Sequence, residues 1–291
     1  MSSESNVLDR TAGNLTGPAA LPEPSVWTAR VITLMPESFP GILSRALTGS
    51  ALENGLWDLQ TVNLREFGLG RHRSVDDTPA GGGAGMVMRA DVVANALDHA
   101  TSDTPPDRRE WPVVCLSPRG TLFRQEVARR WSQARGVTLL CGRFEGIDER
   151  VIEEYELEEI SIGDFVLTCG EVAAQVLIDA TVRLIPRVLG NPDSIEEESF
   201  AAGLLEYPQY TRPATWRGRG IPEVLLSGHH AEISRWRRAR SEDLTRARRP
   251  DLLHARPKAR DEGHDTLPEP VENVNVRGPG PRPRGKRHEH D

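Results

Sequence analysis

Three stretches of this 291-residue chain carry residue types suited to holding a small ligand: "CLSPRG" (115–120), "LLCGRFEG" (139–146) and "ISIGDFVLTCGE" (160–171). Each is a short apolar run that gives way to a polar or glycine-containing turn. In a parallel sheet the carboxyl ends of the strands line up along one edge, and ligands bind there. Three such turns side by side would offer backbone N–H and C=O groups above an apolar floor, which suits a flat purine with its ribose. The alternative is that they are only tight strand–helix turns, a common use of glycine. None contains GxxxxGK[ST], and no G-x-G-x-x-G follows the first strand, so neither a P-loop nor an ordinary dinucleotide site is encoded. Gly163-Asp164 is the oddest feature, because it interrupts what otherwise reads as one strand from Glu158 to Leu167.

A second cluster is "RHRSVDDTPAGGGAGMVM" (71–88). Three consecutive glycines do not belong inside a helix or strand. Flanked by Arg71, His72, Arg73, Asp76 and Asp77, the stretch suits a phosphate cradle or a lid, with a solvated loop as the plain alternative. Cys115, Cys141 and Cys169 are unclustered, and the histidines of the C-terminal tail are scattered. No metal site and no disulfide framework is read from them, and the pattern fits the reducing cytoplasm.

The elements that would position these residues alternate. Strands are expected at 29–35, 56–64, 112–117, 137–142 and 158–167. Helices are expected from Pro36 toward Leu47, and at 90–100, 123–135, 147–155 and 170–190. Alternation of this kind predicts an α/β fold with a mostly parallel sheet. After Gly190 the acidic "NPDSIEEESFAAG" reads as a mobile linker (190–205), followed by a small, basic, helical second domain (206–256). Ser227 is the expected N-cap of its main helix, and Trp216 and Trp236 are expected in the core rather than as stacking platforms. Residues 1–26 and 257–291, rich in Ser, Gly and Pro, read as disordered tails.

Composition is that of a soluble globular protein, 37% apolar and 27% charged. There is no membrane-length apolar run and no secretory signal pattern. Net charge is −7, which argues against a generic polyanion binder. Its distribution is uneven: residues 145–160 hold eight acids and one base, whereas Arg212–Arg260 hold thirteen Arg/Lys and five acids. A basic end can bind nucleic acid despite a negative total.

Nine motifs fall in one order: "LMPESF", "RHRSVDD", "GGGAGMVM", "LSPRG", "CGRFEGIDERV", "SIGDFVL", "VLGNPDS", "YPQYTRP" and "PEVLLSGHHAEISRWR". Over about residues 28 to 255 the sequence resembles the bacterial tRNA (guanine-N1)-methyltransferases, the TrmD family. The resemblance implies a deep trefoil-knotted methyltransferase domain of the SPOUT type (27–189) that works as a homodimer. It implies S-adenosyl-L-methionine as methyl donor, and N1 of guanosine 37, beside the tRNA anticodon, as acceptor. Whether Mg2+ joins the reaction stays open.

By the same resemblance Leu116, Ser117 and Pro118, Gly142, the segment Ile162, Gly163, Asp164, Phe165, Val166 and Leu167, and Gly170 surround the cofactor. Arg71, His72, Asp76, Asp77, Gly82, Ser227 and His230 face the RNA, and the basic C-terminal helix grips phosphates of the anticodon arm. Arg183 matches an arginine near guanine O6. Glu198 stands where the family has an aspartate as general base. Cys169 replaces a glycine, Ala80 and Ala84 replace Tyr and Pro, and Phe165 replaces Tyr. These departures leave a second expectation open, a weakened or retargeted paralogue acting as an RNA-binding module.

Overall fold

The structure is a computed structural model that describes residues 26–190, 198–200 and 202–254. The expected tails, Val26 apart, and half of the expected linker fall outside those residues. Five parallel strands form the central sheet: β1 (Trp27–Thr33), β2 (Trp57–Asn63), β5 (Val113–Leu122), β6 (Gly136–Cys141) and β7 (Glu158–Ser161), in the order β2-β1-β6-β5-β7. The inner strands β1 and β6 are buried along their whole length. Their side chains alternate between two apolar clusters, one on each face of the sheet. Val31, Leu139 and Cys141 face the cluster with Trp57, Trp131 and Leu177; Ile32 and Leu140 face the one with Met88, Val92 and Leu97. The helices α1 (Ala46–Glu53), α2 (Ala90–Thr101), α3 (Gln125–Ser132), α4 (Glu149–Glu154) and α5 (Gly170–Val182) cover these faces.

The expected alternation holds, with changes at several element ends. The helix expected from Pro36 to Leu47 is two single 3-10 turns, Pro36–Ser38 and Gly41–Ser44, and α1 begins only at Ala46. Pro40 has no N–H to donate, and Gly41 sits at φ 55°, outside helical geometry. Helix α5 stops at Val182 rather than 190. Pro186 lacks the N–H that would bond back to Val182, and the chain continues in turns through Val188. Strand β7 ends at Ser161, before Gly163. Strand β5 is longer than expected and runs through "SPRG" to Leu122, pairing with β7 twice, with a register shift between Leu116 and Thr121.

Two short antiparallel pairs lie outside the main sheet: β3 (Asp76–Asp77) with β4 (Val87–Met88), and β8 (Thr215–Trp216) with β9 (Arg219–Gly220). Helices α6 (Glu223–Leu226), α7 (His230–Arg248) and α8 (Pro250–His254) follow. Ser227 does not cap α7 as expected. It ends α6, and its Oγ accepts from the N–H of His229, the residue that actually precedes α7. Trp216 is not in the core but exposed. Trp236 is half-buried, its ring centroid 6.1 Å from that of Tyr210 in an edge-on arrangement.

Candidate active site

The carboxyl ends of β5, β6 and β7 open into one crevice of about 360 Å³. Its walls are Leu116–Arg119, Gly142–Ile147 and Ser161–Gly170, with Asp164 excluded. The three segments singled out in the sequence therefore meet. Glycines make this possible at specific points. A Cβ on Gly120 would lie 2.4 Å from the Glu159 carbonyl carbon, so only glycine lets the bulged half of β5 pass beside β7. Gly163 has φ 152°, and its backbone folds under the Phe165 ring, which a Cβ would meet at 2.5 Å. Ser161 fixes this turn, its Oγ donating to Gly163 O at 3.1 Å and accepting from Gly163 N–H at 3.2 Å. Gly170 N–H donates to Gly142 O at 3.2 Å, which ties the start of α5 to the end of β6.

The crevice pairs an apolar interior with backbone polar groups. Leu116 and Ile160 are buried beneath it, while Phe165, Val166 and Leu167 stand exposed at its mouth. Asp164 is solvent-exposed and does not line it. Arg119, Arg143, Phe144, Glu145 and Glu159 also line it, although none of them is among the residues the sequence places around the cofactor. The signal was present in "CGRFEGIDERV", but a charged side chain beside a glycine could equally have pointed to solvent. Arg119 reaches Glu149 at 2.9 Å and Glu159 at 3.1 Å and so pins the "SPRG" bulge. Cys169 is half-buried in the crevice wall. Burial pushes the Cys115 thiol up to about 12 and raises that of Cys141 well above its ordinary value, so both are inert neutral core residues.

The glycine-rich stretch joins the same wall. Glu145 N–H donates to Met86 O, and Met88 N–H to Gly146 O, both at 2.9 Å. A Cβ on Gly85 would clash with the Glu145 side chain. Beyond this seam Arg71, His72 and Gly82 are exposed. Asp76 pairs with Met88 in the small β3–β4 ladder, and Asp77 accepts from Arg89 at 3.0 Å. Ser227 and His230 lie on the later helices, with no contact to the crevice among the described residues.

Arg183 and Glu198 meet in a two-pronged ion pair. Arg183 Nη1 donates to Oε2 at 2.6 Å and Nη2 to Oε1 at 2.5 Å. The guanidinium's hydrogen bonds hold the Glu198 carboxyl below the usual carboxylate range, against the opposing effect of partial burial. The same bonds raise Arg183. This pair sits at the C-terminal end of α5, whereas the crevice lies at its N-terminal Gly170. Thirteen helical residues separate them, about 20 Å of rise. One chain thus holds both parts, but not next to each other.

The basic helix α7 is less free to hold phosphates than its sequence suggested. Arg235, Arg238, Arg240 and Arg246 each pair with an acid of the same helix, at 2.9–3.8 Å. Arg237 lies over the Tyr207 ring at 4.8 Å. Among the described residues no three His, Cys, Asp or Glu side chains converge to hold a metal ion. No helix there is long and apolar enough to cross a membrane.

A parallel sheet covered by helices, with a glycine-bordered crevice at three strand ends, defines an α/β protein with an opening where ligands bind in sheets of this kind. Residues 28–255 match the family model of tRNA (Guanine-1)-methyltransferase TrmD, and the chain belongs to that family. It is 69% identical over 229 residues to a tRNA (guanine-N(1)-)-methyltransferase of Cereibacter sphaeroides, covering 79% of this chain and 92% of the relative. The protein of the same description from a Jannaschia species is 62% identical over 226 residues, 78% of this chain and 92% of its own. That of Bartonella henselae is 60% identical over 224 residues, 77% and 94% respectively.

Proposed function

We propose that this chain methylates N1 of guanosine 37 in tRNA, with S-adenosyl-L-methionine as donor, acting in the cytoplasm as a homodimer of the knotted SPOUT type. The carrying observation is a purine-sized crevice plus a carboxylate–guanidinium pair in a chain 69% identical to a named tRNA guanine-N1 methyltransferase. The crevice fits the cofactor: Leu116, Ile162 and Leu167 give apolar contact, and backbone groups of the glycine turns can receive an adenine edge and ribose. Bound there, the sulfonium would supply an already activated methyl group. The chain's own task is then the nucleophile, since guanine N1 carries a proton at neutral pH.

Glu198 is the general base and Arg183 the cation beside O6. In the resting pair both carboxylate oxygens accept from Arg183. Guanine must therefore take one prong of each partner: N1–H donates to one Glu198 oxygen, while O6 accepts from the released guanidinium nitrogen. Glutamate is one methylene longer than the family's aspartate. Here the bidentate grip of Arg183 fixes that longer side chain.

The 20 Å along α5 supports a site shared between two copies. A two-fold axis that lays α5 antiparallel to its mate would bring Arg183 and Glu198 of one copy to the other's crevice. The outward stripe of α5 suits that role: Val172 and Val176 are exposed, with Ile42 and Val166 also bare. Residues 27–189 would then be the methyltransferase domain and 206–256 a helical domain for the anticodon arm.

The test is transfer of labelled methyl to a tRNA transcript, with the modified nucleotide mapped by mass spectrometry. Label at N1 of guanosine 37, abolished by replacing that base, is expected. Tight binding without any transfer would instead indicate an RNA-binding module, and transfer that survives the base change would reject the target.

A further inference from the structure

We propose that the β8–β9 hairpin is a base-stacking platform, with Trp216 taking an unpaired nucleobase of the RNA substrate and Arg217 and Arg219 its flanking phosphates. The proposal rests on the tRNA reading above and adds a binding residue to it. The hairpin is a short, well-specified projection. Thr215 pairs with Gly220 and Trp216 with Arg219, closing a two-residue turn at Arg217-Gly218. Both turn residues have positive φ, 49° and 78°, the geometry whose twist matches an antiparallel pair.

The tryptophan has no folding role that explains it. Trp27, Trp57, Trp111 and Trp131 are buried, whereas Trp216 is 58% exposed and every residue from 211 to 220 is exposed. Among the described residues no other ring packs on it. The guanidinium carbon of Arg217 lies 4.9 Å from its ring centroid. A large indole held in water beside a stacked cation is the combination that binds single-stranded nucleic acid. Every base has a π-face to stack, and the cation meets the backbone. Sequence-reading proteins use such stacking on unpaired RNA loops.

Charge points the same way. Residues 211–220 contain three arginines and no acid. Among the described residues Arg212, Arg217 and Arg219 have no acidic partner, unlike the paired arginines of α7. The hairpin therefore offers positive charge that no intramolecular carboxylate offsets. A protein partner would be better served by an apolar rim, and the rim here is cationic.

The experiment compares the full chain with Trp216→Ala and Trp216→Phe, both checked for an unchanged thermal midpoint. Trp216→Ala should raise the Kd and KM for tRNA roughly five- to a hundredfold, the range one stacked base gives. The turnover number and the KM for S-adenosyl-L-methionine should not change. Trp216→Phe should recover most of the tRNA affinity. In wild type, tRNA should quench the long-wavelength tryptophan emission, and Trp216→Phe should lose that quenching. Unchanged tRNA affinity in Trp216→Ala overturns the proposal. So does Trp216 emission already shielded from iodide without RNA, which would mean that a second copy covers it. Binding and quenching without methyl transfer would leave the platform standing and overturn only the catalytic reading.

Discussion

The Arg183–Glu198 pair concentrates the chemistry of the proposed reaction in one contact, and its electrostatics have a testable sign. Two hydrogen bonds from the guanidinium stabilise the ionised carboxylate, so Glu198 stays charged below the pH at which an ordinary glutamate gains its proton. Because its folded-state value is lowered, the pair's contribution to stability is present above the unfolded value and is lost as pH falls through the lowered one. Both side chains are about a third exposed, so solvent screening keeps that contribution small. A carboxyl-carbon NMR titration should place the Glu198 midpoint below the ordinary glutamate value, and Arg183→Gln should return it upward; equal midpoints would sink the assignment. Glu198→Gln should lower the turnover number about a hundredfold or more, the usual range for a general base, with donor affinity unchanged. The role proposed for Glu198 comes from resemblance alone, since Glu196 and Glu197 stand beside it in the sequence with identical chemistry. Glu198 is gripped by Arg183, fifteen residues back, a contact that no local pattern encodes.

At the scale of elements the site depends on two strands passing closer than side chains allow. Gly120 is where the bulged half of β5 crosses β7, and a methyl there would meet the Glu159 carbonyl and the Ile160 nitrogen at 2.4–2.5 Å. These are backbone atoms within a paired ladder, so they cannot swing aside. Gly120→Ala should cost about 1–3 kcal/mol as overpacking, a midpoint loss of roughly 2–4 °C for each kcal/mol, and should weaken donor binding. Differential scanning calorimetry and a binding titration would check both, with Gly220→Ala, whose added methyl meets nothing within 4 Å, as control. The sheet itself was legible: the apolar runs of β1 and β6 are buried throughout, as inner parallel strands require. The ends of β5 and β7 were not. Ile162, Phe165, Val166 and Leu167 extend the apolar run of β7, but they leave the ladder to line the crevice. Hydrophobicity records burial against something, and a ligand surface reads the same as a core. The Gly163-Asp164 interruption was the visible sign of that change, although Asp164 itself turned out to face solvent.

At the scale of the whole molecule the separation along α5 makes a sharper demand than any single residue. The crevice touches the first turn of α5, and the Arg183–Glu198 pair caps its last, about 20 Å away. No side-chain rotation spans that distance, so methyl donor and base act on one guanine only if they come from two copies or if the chain refolds. The exposed stripe through Val172 and Val176 favours two copies, because valines 52% and 47% exposed on a largely buried helix are uncovered apolar surface. Val176→Asp should turn a dimer into a folded monomer in analytical ultracentrifugation, with methyl transfer lost. A subunit-mixing experiment decides the geometry. Leu167→Arg obstructs the crevice and Glu198→Gln disables the base, so each homodimer should be inactive. Mixed and allowed to exchange, half of the dimers carry one of each, and in those the intact crevice of one copy faces the intact base of the other. Activity should return to about one quarter of wild type, since each mixed dimer regains one of its two sites. If crevice and base instead served each other within a chain, no mixed dimer would hold a complete site, and the mixture would stay inactive.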